Sequence, residues 1–293
     1  MKKWLKSLQK MHWKFLKTNW FISSPVVKTL VYANVFIALC ALAQVLLTYS
    51  IFSIPFNFAN NSYLLFILLS TYLQYNVQRG YMINSTNVQS ERSQWLLKHK
   101  KVLLFSVGAA LLVVLFLCNN LSWTSIGIMI GAEVVSTLYY IPPFNFRKHG
   151  YFKPFLISSV WVISCALVPL IENNLLTFHS AWFVASQFFF ISVLCLLFDI
   201  KDVEHDYMSG VNTYANKFGV NNTKIICVCA VIIAFTCFYK FSNDTDFLIR
   251  SIILRVIVLS TLLFTNDKRH SFYYYLWVDG LMIIQAVLFL VFK

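Results

Sequence analysis

Apolar residues along this chain are gathered into long runs that are separated by short polar connections. A helix needs about 20 residues to cross the hydrocarbon core of a bilayer, and these runs approach that length. No long polar linker divides them, so the pattern favours one transmembrane domain. We predict about nine transmembrane helices, with the limits Leu30–Phe52, Tyr63–Ile83, Val102–Cys118, Leu121–Ile141, Phe155–Ile171, Ala181–Ile200, Ile225–Phe241, Phe247–Phe264 and Tyr273–Phe292.

The composition excludes a water-soluble fold. The chain has 293 residues, of which 59% are hydrophobic and 12% are charged, and its mean hydropathy is +0.67. Soluble domains carry about 45–50% apolar and about 25% charged residues. The same figures exclude intrinsic disorder, since disordered chains are poor in aliphatic and aromatic residues. The predicted fold class is therefore an all-α polytopic membrane protein.

The first 26 residues differ from the rest because they are basic and amphipathic. At about 100° per residue, one helical face would be apolar and the opposite face would carry lysines. The apolar face contains Trp4, Leu5, Leu8, Met11 and Phe15, and the basic face contains Lys2, Lys6, Lys10, Lys14 and Lys17. This pattern predicts an interfacial helix on anionic lipid, with a solvated basic tail as the alternative. We divide the chain into this segment, residues 1–26, and a transmembrane domain, residues 27–293.

The net charge of +13 is concentrated in the connections between apolar runs. A basic chain can bind nucleic acid, but this distribution indicates the lipid bilayer as the partner and excludes nucleic acid. Alternate connections are rich in Lys and Arg, which by the positive-inside rule predicts a cytosolic N-terminus and an external C-terminus. We expect the protein to be integral to the bacterial inner membrane.

Acidic residues are few, yet several lie together in FDIKDVEHDYMSG, at the predicted cytosolic end of the sixth run. Spacings of three and four residues put Asp199, Asp202 and Asp206 on one helical face. Carboxylates this close repel one another unless a cation lies among them, and hard oxygen ligands suit Mg²⁺ together with substrate phosphates. The stretch therefore predicts a site for Mg²⁺ and a diphosphate, with a solvated acidic helix end as the alternative.

The second run ends in a polar helical face that contains Tyr72, Asn76, Arg79 and Ile83. Arg and Asn side chains at a membrane-embedded position are costly unless they line a wet cavity. The pattern thus indicates a cavity beside this helix end. The alternative is that Arg79 extends along the helix to reach water at the membrane surface.

These motifs resemble those of the UbiA superfamily of intramembrane prenyltransferases, whose members have nine transmembrane helices and aspartate-rich motifs ending the second and sixth. DIKDVEHDYMSGVNTYANKFGV is similar to the second motif, DxxDxxxD with a Lys/Arg-x-Gly element. YYIPPFNFRKHGYFKP resembles the loop after the fourth helix, with Lys153 at its phosphate-binding lysine. The resemblance implies a UbiA-like bundle in which Mg²⁺ is held by the catalytic residues Asp199, Asp202 and Asp206.

The first motif departs from the family pattern NDxxDxxxD. In our alignment Asn76 is kept, while Val77, Gly80 and Asn84 stand in place of the three aspartates. Three interpretations remain open. One metal ion is still bound by the second motif, Arg79 contacts the diphosphate directly in place of a metal ion, or the chemistry is lost.

The resemblance implies transfer of a prenyl group from a prenyl diphosphate to an aromatic or other acceptor, assisted by Mg²⁺. In that activity Lys153, Arg79 and Arg92 would contact the diphosphate, with Asn76 and Asn84 as further substrate-binding candidates. The alternative is a catalytically impaired homologue that binds isoprenoid or lipid as an accessory membrane protein. An alcohol phosphatidyltransferase and a transporter rank lower, because their sequence markers are missing.

Three more charged residues lie within apolar runs, namely Glu133, Arg255 and Asp279. Ionisable side chains in a membrane are functional candidates by default, since burying them is costly. Structural ion pairing within the bundle is the alternative. The sequence alone leaves their roles open, as it does the acceptor and the prenyl chain length.

Overall fold

The computed structural model describes residues 24–57, 61–85, 90–141 and 150–291, without the side chains of residues 84 and 85. Within these residues the chain is helical and contains no strand, which confirms the predicted all-α class. Residues 1–23, and with them most of the predicted interfacial segment 1–26, lie outside the described part. The same holds for the side chain of the candidate ligand Asn84 and for loop residues 142–149.

We number the helices in chain order. They are α1 Pro25–Tyr32, α2 Val35–Ile51, α3 Ser62–Ser85, α4 Glu91–Lys98, α5 Lys100–Cys118, α6 Trp123–Leu138, α7 Lys153–Glu172, α8 Phe178–Lys201, α9 Val203–Met208, α10 Tyr214–Phe241, α11 Thr245–Phe264 and α12 Tyr273–Leu290. Several begin at a hydroxyl cap that accepts a backbone N–H of the first turn, as at Ser122, Thr177 and Thr213. Such caps satisfy donors that have no partner within the helix.

Six of these helices are long and apolar enough to cross a membrane, and a seventh crossing results if the bent pair α1–α2 is counted. The helix α6 is apolar but shorter, and α3 is long enough but carries a polar second half. With these two, the described residues contain nine long helical segments, of which six or seven meet the length and apolarity of a membrane crossing, which is consistent with the predicted polytopic bundle.

The first predicted crossing is broken rather than continuous. The axes of α1 and α2 differ by 66°, and the break lies at Ala33 and Asn34. Asn34 adopts the left-handed conformation with φ of 62°. Asparagine tolerates this backbone better than most residues, because its short side chain can form local hydrogen bonds.

The helix α10 starts at Tyr214, well before the predicted limit at Ile225, and it contains a kink at Gly219, where φ is 83°. Its first turn packs near the loop that precedes α7. There Gly150 approaches the loop before α10 so closely that a Cβ atom would lie 2.5 Å from the carbonyl oxygen of Asn212. Glycine at this position therefore lets the start of α7 and the start of α10 come together.

The helix α8 lies at the centre of the bundle, with 67% of an 18-residue apolar stretch buried, whereas α5 lies at the edge, with 17% of the corresponding stretch buried. Phe183, Val193 and Leu197 of α8 have no exposed surface and pack between α7 and α10. The last turn of α8, which ends at Lys201, belongs to the core through the fully buried Leu197 and Ile200. We call the end of the bundle where α8 ends and α7 begins the inner end.

Candidate functional site

A cavity of about 470 Å³ lies at the inner end, between α1, α2, α3, α4, α7, α8 and α12. Four cationic side chains line it, those of Arg79, Arg92, Lys153 and Lys201. The acidic side chains on its wall are those of Asp202 and Asp279. The rest of the wall is mainly apolar or aromatic. The cavity therefore has a cationic part and an apolar part that are continuous with each other.

Arg92 of α4 is fixed in position by three contacts. One guanidinium nitrogen donates to the carbonyl oxygen of Val31 at 3.2 Å and to the side-chain oxygen of Asn34 at 2.5 Å. The guanidinium also lies 5.0 Å from the ring centroid of Tyr275, within the range of a cation–π contact. The left-handed Asn34 at the helix break thus presents its oxygen to the cation, and the bend of the first crossing serves to hold Arg92.

Lys201 and Asp202, at the end of α8, form an ion pair of 2.7 Å on the cavity wall. Lys201 also lies 5.0 Å from the ring centroid of Tyr275, so that ring has a cation from α4 and a cation from α8 near it. Burial alone would raise the pKa of Asp202, but the positive charges of Lys201 and Lys153 outweigh it and lower that pKa. Asp202 is therefore ionised at neutral pH.

Asp199 and Asp206 are turned away from the cavity and towards Lys153. The Lys153 ammonium lies 2.6 Å from Oδ1 of Asp199 and 3.7 Å from Oδ2 of Asp206. Both carboxylates are buried, whereas the Lys153 side chain keeps 13% of its surface and lines the cavity. The ammonium therefore separates the two carboxylates from the cavity.

The three predicted metal ligands differ in how well they would suit Mg²⁺. Within the described ranges no three Asp, Glu, His or Cys side chains are grouped so as to hold a metal ion. In substrate sites Mg²⁺ takes one or two carboxylates and completes its shell with phosphate oxygens and water. Asp202, on the cavity wall, fits that arrangement. Asp199 and Asp206 do not fit it while Lys153 lies between them.

The cavity-facing side of α3 carries Tyr75, Arg79, Met82 and Ile83. Val77 is 50% exposed on another side of the helix, as is Gly80. Val77 and Gly80, which stand in place of two of the family's aspartates in the alignment, therefore lie on a side of α3 that does not line the cavity. A helix repeats every 3.6 residues, so residues four apart share a face. Of the residues that line the cavity, Tyr75, Arg79 and Ile83 have this spacing.

Asn76 has protein partners for its whole amide. Its nitrogen donates to the carbonyl oxygens of Ala33, at 3.0 Å, and Tyr72, at 2.8 Å. Its oxygen accepts from the side-chain nitrogen of Asn34, at 3.1 Å. The structure thus places this predicted substrate ligand at the helix break, against the residue that holds Arg92.

A second cavity, of about 220 Å³, lies between α2, α3, α6 and α7. It shares three wall residues with the first cavity, Tyr75, Ile157 and Trp161. The aromatic side chains of Tyr75 and Trp161 thus stand between the two spaces. Glu133 lines the second cavity.

The intramembrane charges occupy different parts of the bundle. Asp279 lines the first cavity and Glu133 the second, whereas Arg255 donates to Ser186 at 3.2 Å and to the carbonyl oxygen of Ala234 at 3.4 Å. In the part of the chain that the structure covers, no ion pair joins any two of the three. Arg255 instead ties α11 to α8 and α10.

Sequence reasoning missed two residues of the first cavity, Lys201 and Tyr275. Lys201 lies inside the acidic stretch next to Asp202, but adjacent residues of a helix are about 100° apart, so helical spacing gave no signal that both line the cavity. Tyr275 lies in an aromatic-rich run where no pattern distinguishes one ring from the next.

Two comparisons with known proteins give matches. The model of the UbiA prenyltransferase family matches residues 94–271, so the segment of the first motif lies outside the match. The fold is similar to a solved structure of digeranylgeranylglyceryl phosphate synthase, with a TM-score of 0.59 and 14% identity over 91% of this chain and 97% of that one. At this identity the likeness concerns the fold alone. No curated protein matches the sequence.

Proposed function

The chain belongs to the UbiA prenyltransferase family, and we propose that it is a membrane prenyltransferase that transfers a prenyl group from a prenyl diphosphate to an acceptor. The observation that carries the proposal is the cavity at the inner end. Its four cationic side chains suit a diphosphate, and its apolar wall suits the first isoprene units. The remaining isoprene units of the substrate would extend between helices towards the lipid.

Bond cleavage at the allylic carbon requires that charge developing on the leaving diphosphate be neutralised. Arg79, Arg92 and Lys201 come from three different helices and reach the same space, so they would surround that group. Groups fixed before reaction cost little reorganisation when charge develops. Arg92 is fixed by Val31 and Asn34, which makes it the best-positioned of the three.

We propose Mg²⁺ as the cofactor in a limited form. Asp202 would hold the ion together with the diphosphate, and the chemistry that the ion supplies is further neutralisation of the leaving group. Asp199 and Asp206 would act as metal ligands only when Lys153 has left them. Among the other substrate-binding candidates, Lys153 would contact the diphosphate directly. Asn76 would act indirectly, by holding Asn34 and through it Arg92. A substrate contact of Asn84 stays a prediction.

The acceptor would occupy the second cavity. That space meets the first at Tyr75 and Trp161, so an acceptor there would lie next to the allylic carbon. Aromatic faces stabilise an allylic cation and exclude water from it. We further propose a cytosolic inner end and a bacterial inner-membrane location, from the charge of the connections.

A second candidate function is a catalytically impaired homologue that binds isoprenoid as an accessory protein. It is favoured by one observation, namely that no carboxylate lies among the α3 residues that line the cavity. The two functions share the binding step and differ in turnover.

The experiment that tests the proposal uses the purified full chain in detergent micelles. Binding of geranylgeranyl thiolodiphosphate, which resists cleavage, is measured by thermal unfolding with and without Mg²⁺. Product formation from the cleavable diphosphate is then measured over a panel of phenolic and hydroxylated acceptors. We expect binding, and we expect Asp202→Asn to lose the Mg²⁺-dependent part. Binding without any product would favour the accessory function, and absence of binding would refute both.

A further inference from the structure

The second cavity occupies a gap between α3 and α6 that side-chain contacts close at both ends. At one end the hydroxyl of Tyr63 approaches the sulfur of Met129 at 3.8 Å. At the inner end the rings of Tyr81 and Tyr140 lie 5.4 Å apart, measured between centroids. The residues of α3 and α6 that line the cavity lie within this interval on both helices. The gap is therefore a bounded space beside the bundle core.

Both helices present polar side chains to this gap. Gln74 and Gln78, four residues apart on one face of α3, line the cavity, and so do Glu133 and Ser136 of α6. The Oε1 atom of Gln74 is buried and has no hydrogen-bond donor among the described residues. A buried acceptor without a donor is costly. A molecule in the cavity that carries a donor would remove this cost.

Glu133 is the charged residue on the wall of this cavity. It is exposed, as are its apolar neighbours Ile130 and Val134, so this side of α6 also faces the outside of the bundle. Among the described residues no Lys, Arg or His forms an ion pair with Glu133, and none lines this cavity. A carboxylate in an apolar helix is costly unless a partner binds it. Glu133 thus offers a second hydrogen-bond acceptor to a molecule in the cavity.

The cavity is small and lies towards the inner end. Glu133 precedes Leu138, the last residue of α6, by about 8 Å along the helix axis. A cavity of about 150 Å³ holds benzene, so the space of about 220 Å³ suits a head group of one ring. Because the two cavities meet at Tyr75 and Trp161, such a ring would lie beside the apolar part of the first cavity.

We propose that the second cavity selects a neutral acceptor whose head group is one hydroxyl-bearing ring, and that Glu133 determines this selectivity. The hydroxyl would donate to Glu133 or to Oε1 of Gln74. A carboxylate or phosphate on the acceptor would instead place a negative charge beside Glu133, and the described wall holds no cation to offset it. An ammonium group would be attracted, but it has no free electron pair with which to attack an allylic carbon. The inference rests on the proposed function, since it names the class of acceptor for that reaction.

The test compares two probes of nearly the same shape, para-hydroxybenzamide and para-hydroxybenzoate, which differ in charge at neutral pH. Their binding to the full chain in detergent micelles is measured by ligand-observed nuclear magnetic resonance, with empty micelles as the reference. The measurement is made with and without geranylgeranyl thiolodiphosphate. We expect the neutral amide to bind at least tenfold more tightly than the anion in both conditions.

Two variants assign this preference to the cavity. Glu133→Gln removes the charge and keeps the size, so the preference should fall at least fivefold because the anion binds more tightly. A purely structural role of Glu133 would instead weaken both probes together. Gln74→Leu removes the unpartnered acceptor and should weaken amide binding at least threefold. Glu91→Gln removes a carboxylate from outside both cavities, so as the control it should leave both affinities unchanged.

Equal binding of the two probes by the unaltered chain, or tighter binding of the anion, would overturn the inference. An unchanged preference in the folded Glu133→Gln variant would do the same. If that variant does not fold, the two probes on the unaltered chain and the Gln74→Leu variant decide the matter. A chain that binds the thiolodiphosphate but neither probe would overturn the inference and leave the proposed function standing, whereas failure to bind the thiolodiphosphate would refute the proposed function.

Discussion

The side chains of Asn34 and Asn76 are hydrogen-bonded at 3.1 Å, which ties the break in the first crossing to the middle of α3. Asn34 also accepts from Arg92 of α4. Two asparagines therefore form a polar junction through which three helices fix one cationic side chain on the cavity wall. Asn34 is buried and Asn76 is half-buried, so water can replace the lost partners of this junction only in part.

Replacing Asn76 by Ala should destabilise the protein by about 1–3 kcal/mol. Its partners Ala33, Tyr72 and Asn34 would lose hydrogen bonds that lie in a partly buried position between helices. Thermal or denaturant unfolding in detergent measures the change. Asn222→Ala is the matched control, since the Asn222 amide bonds one carbonyl on an exposed face of α10. A stability loss no larger than that of the control would show that the junction is dispensable.

Aspartates introduced into α3 should act according to the side of the helix they occupy. Gly80→Asp adds a carboxylate at an exposed position with no atom within 4 Å of its Cβ, so thiolodiphosphate affinity should stay within twofold. Arg79→Asp replaces a cation on the cavity wall by an anion and should weaken that affinity more than tenfold. Isothermal titration in micelles compares the two. Equal effects of the variants would mean that the cavity face of α3 is assigned wrongly.

Arg92→Lys should weaken thiolodiphosphate binding roughly tenfold, or about 1.4 kcal/mol, even though the positive charge is kept. A lysine ammonium cannot bond Val31 and Asn34 and still present a planar donor face to the cavity. The same titration measures the loss. Lys98→Ala, which removes an exposed charge from the same helix, serves as control and should leave the affinity unaltered.

The ion pair of Lys28 and Glu91, 2.7 Å long, should contribute little and should disappear on acidification. The Lys28 hydrogen bond lowers the pKa of Glu91 in the folded chain. Its stabilising effect is therefore present above the unfolded pKa of about 4.3 and is lost as pH falls through the lower folded pKa. Because Glu91 is 59% exposed, Glu91→Gln should cost under about 1 kcal/mol at pH 7. Unfolding at pH 7 and pH 3 gives the difference, which should vanish at the lower pH and in 1 M salt.

Hydrophobic patterning predicted the bundle because most of its helices are apolar over a length that can cross the bilayer, whatever their neighbours are. It could not predict the bend at Ala33 and Asn34, since that bend depends on partners in α3 and α4. Nor could it place the start of α10 at Tyr214, because a polar first turn outside the lipid has no apolar signature.

The sequence predicted which residue types form the candidate site, but not which charged side chains pair with each other. Helical spacing put Asp199, Asp202 and Asp206 on one face. In the structure α8 ends at Lys201 and Asp202 is the residue between α8 and α9, so the three carboxylates no longer share one regular helix. Which cation each faces, Lys153 or Lys201, depends on the packing of α7 against α8, and that lies beyond any local pattern.

The bend of the first crossing also constrains the order of assembly in the membrane. The side chains that hold Asn34 belong to Asn76 and Arg92, which follow it by 42 and 58 residues along the chain. During synthesis these partners therefore emerge after the first crossing, so the bend is fixed only once they have joined it. The wall of the first cavity, to which Asn34 and Arg92 belong, is thus completed only when α3 and α4 have packed against the bend.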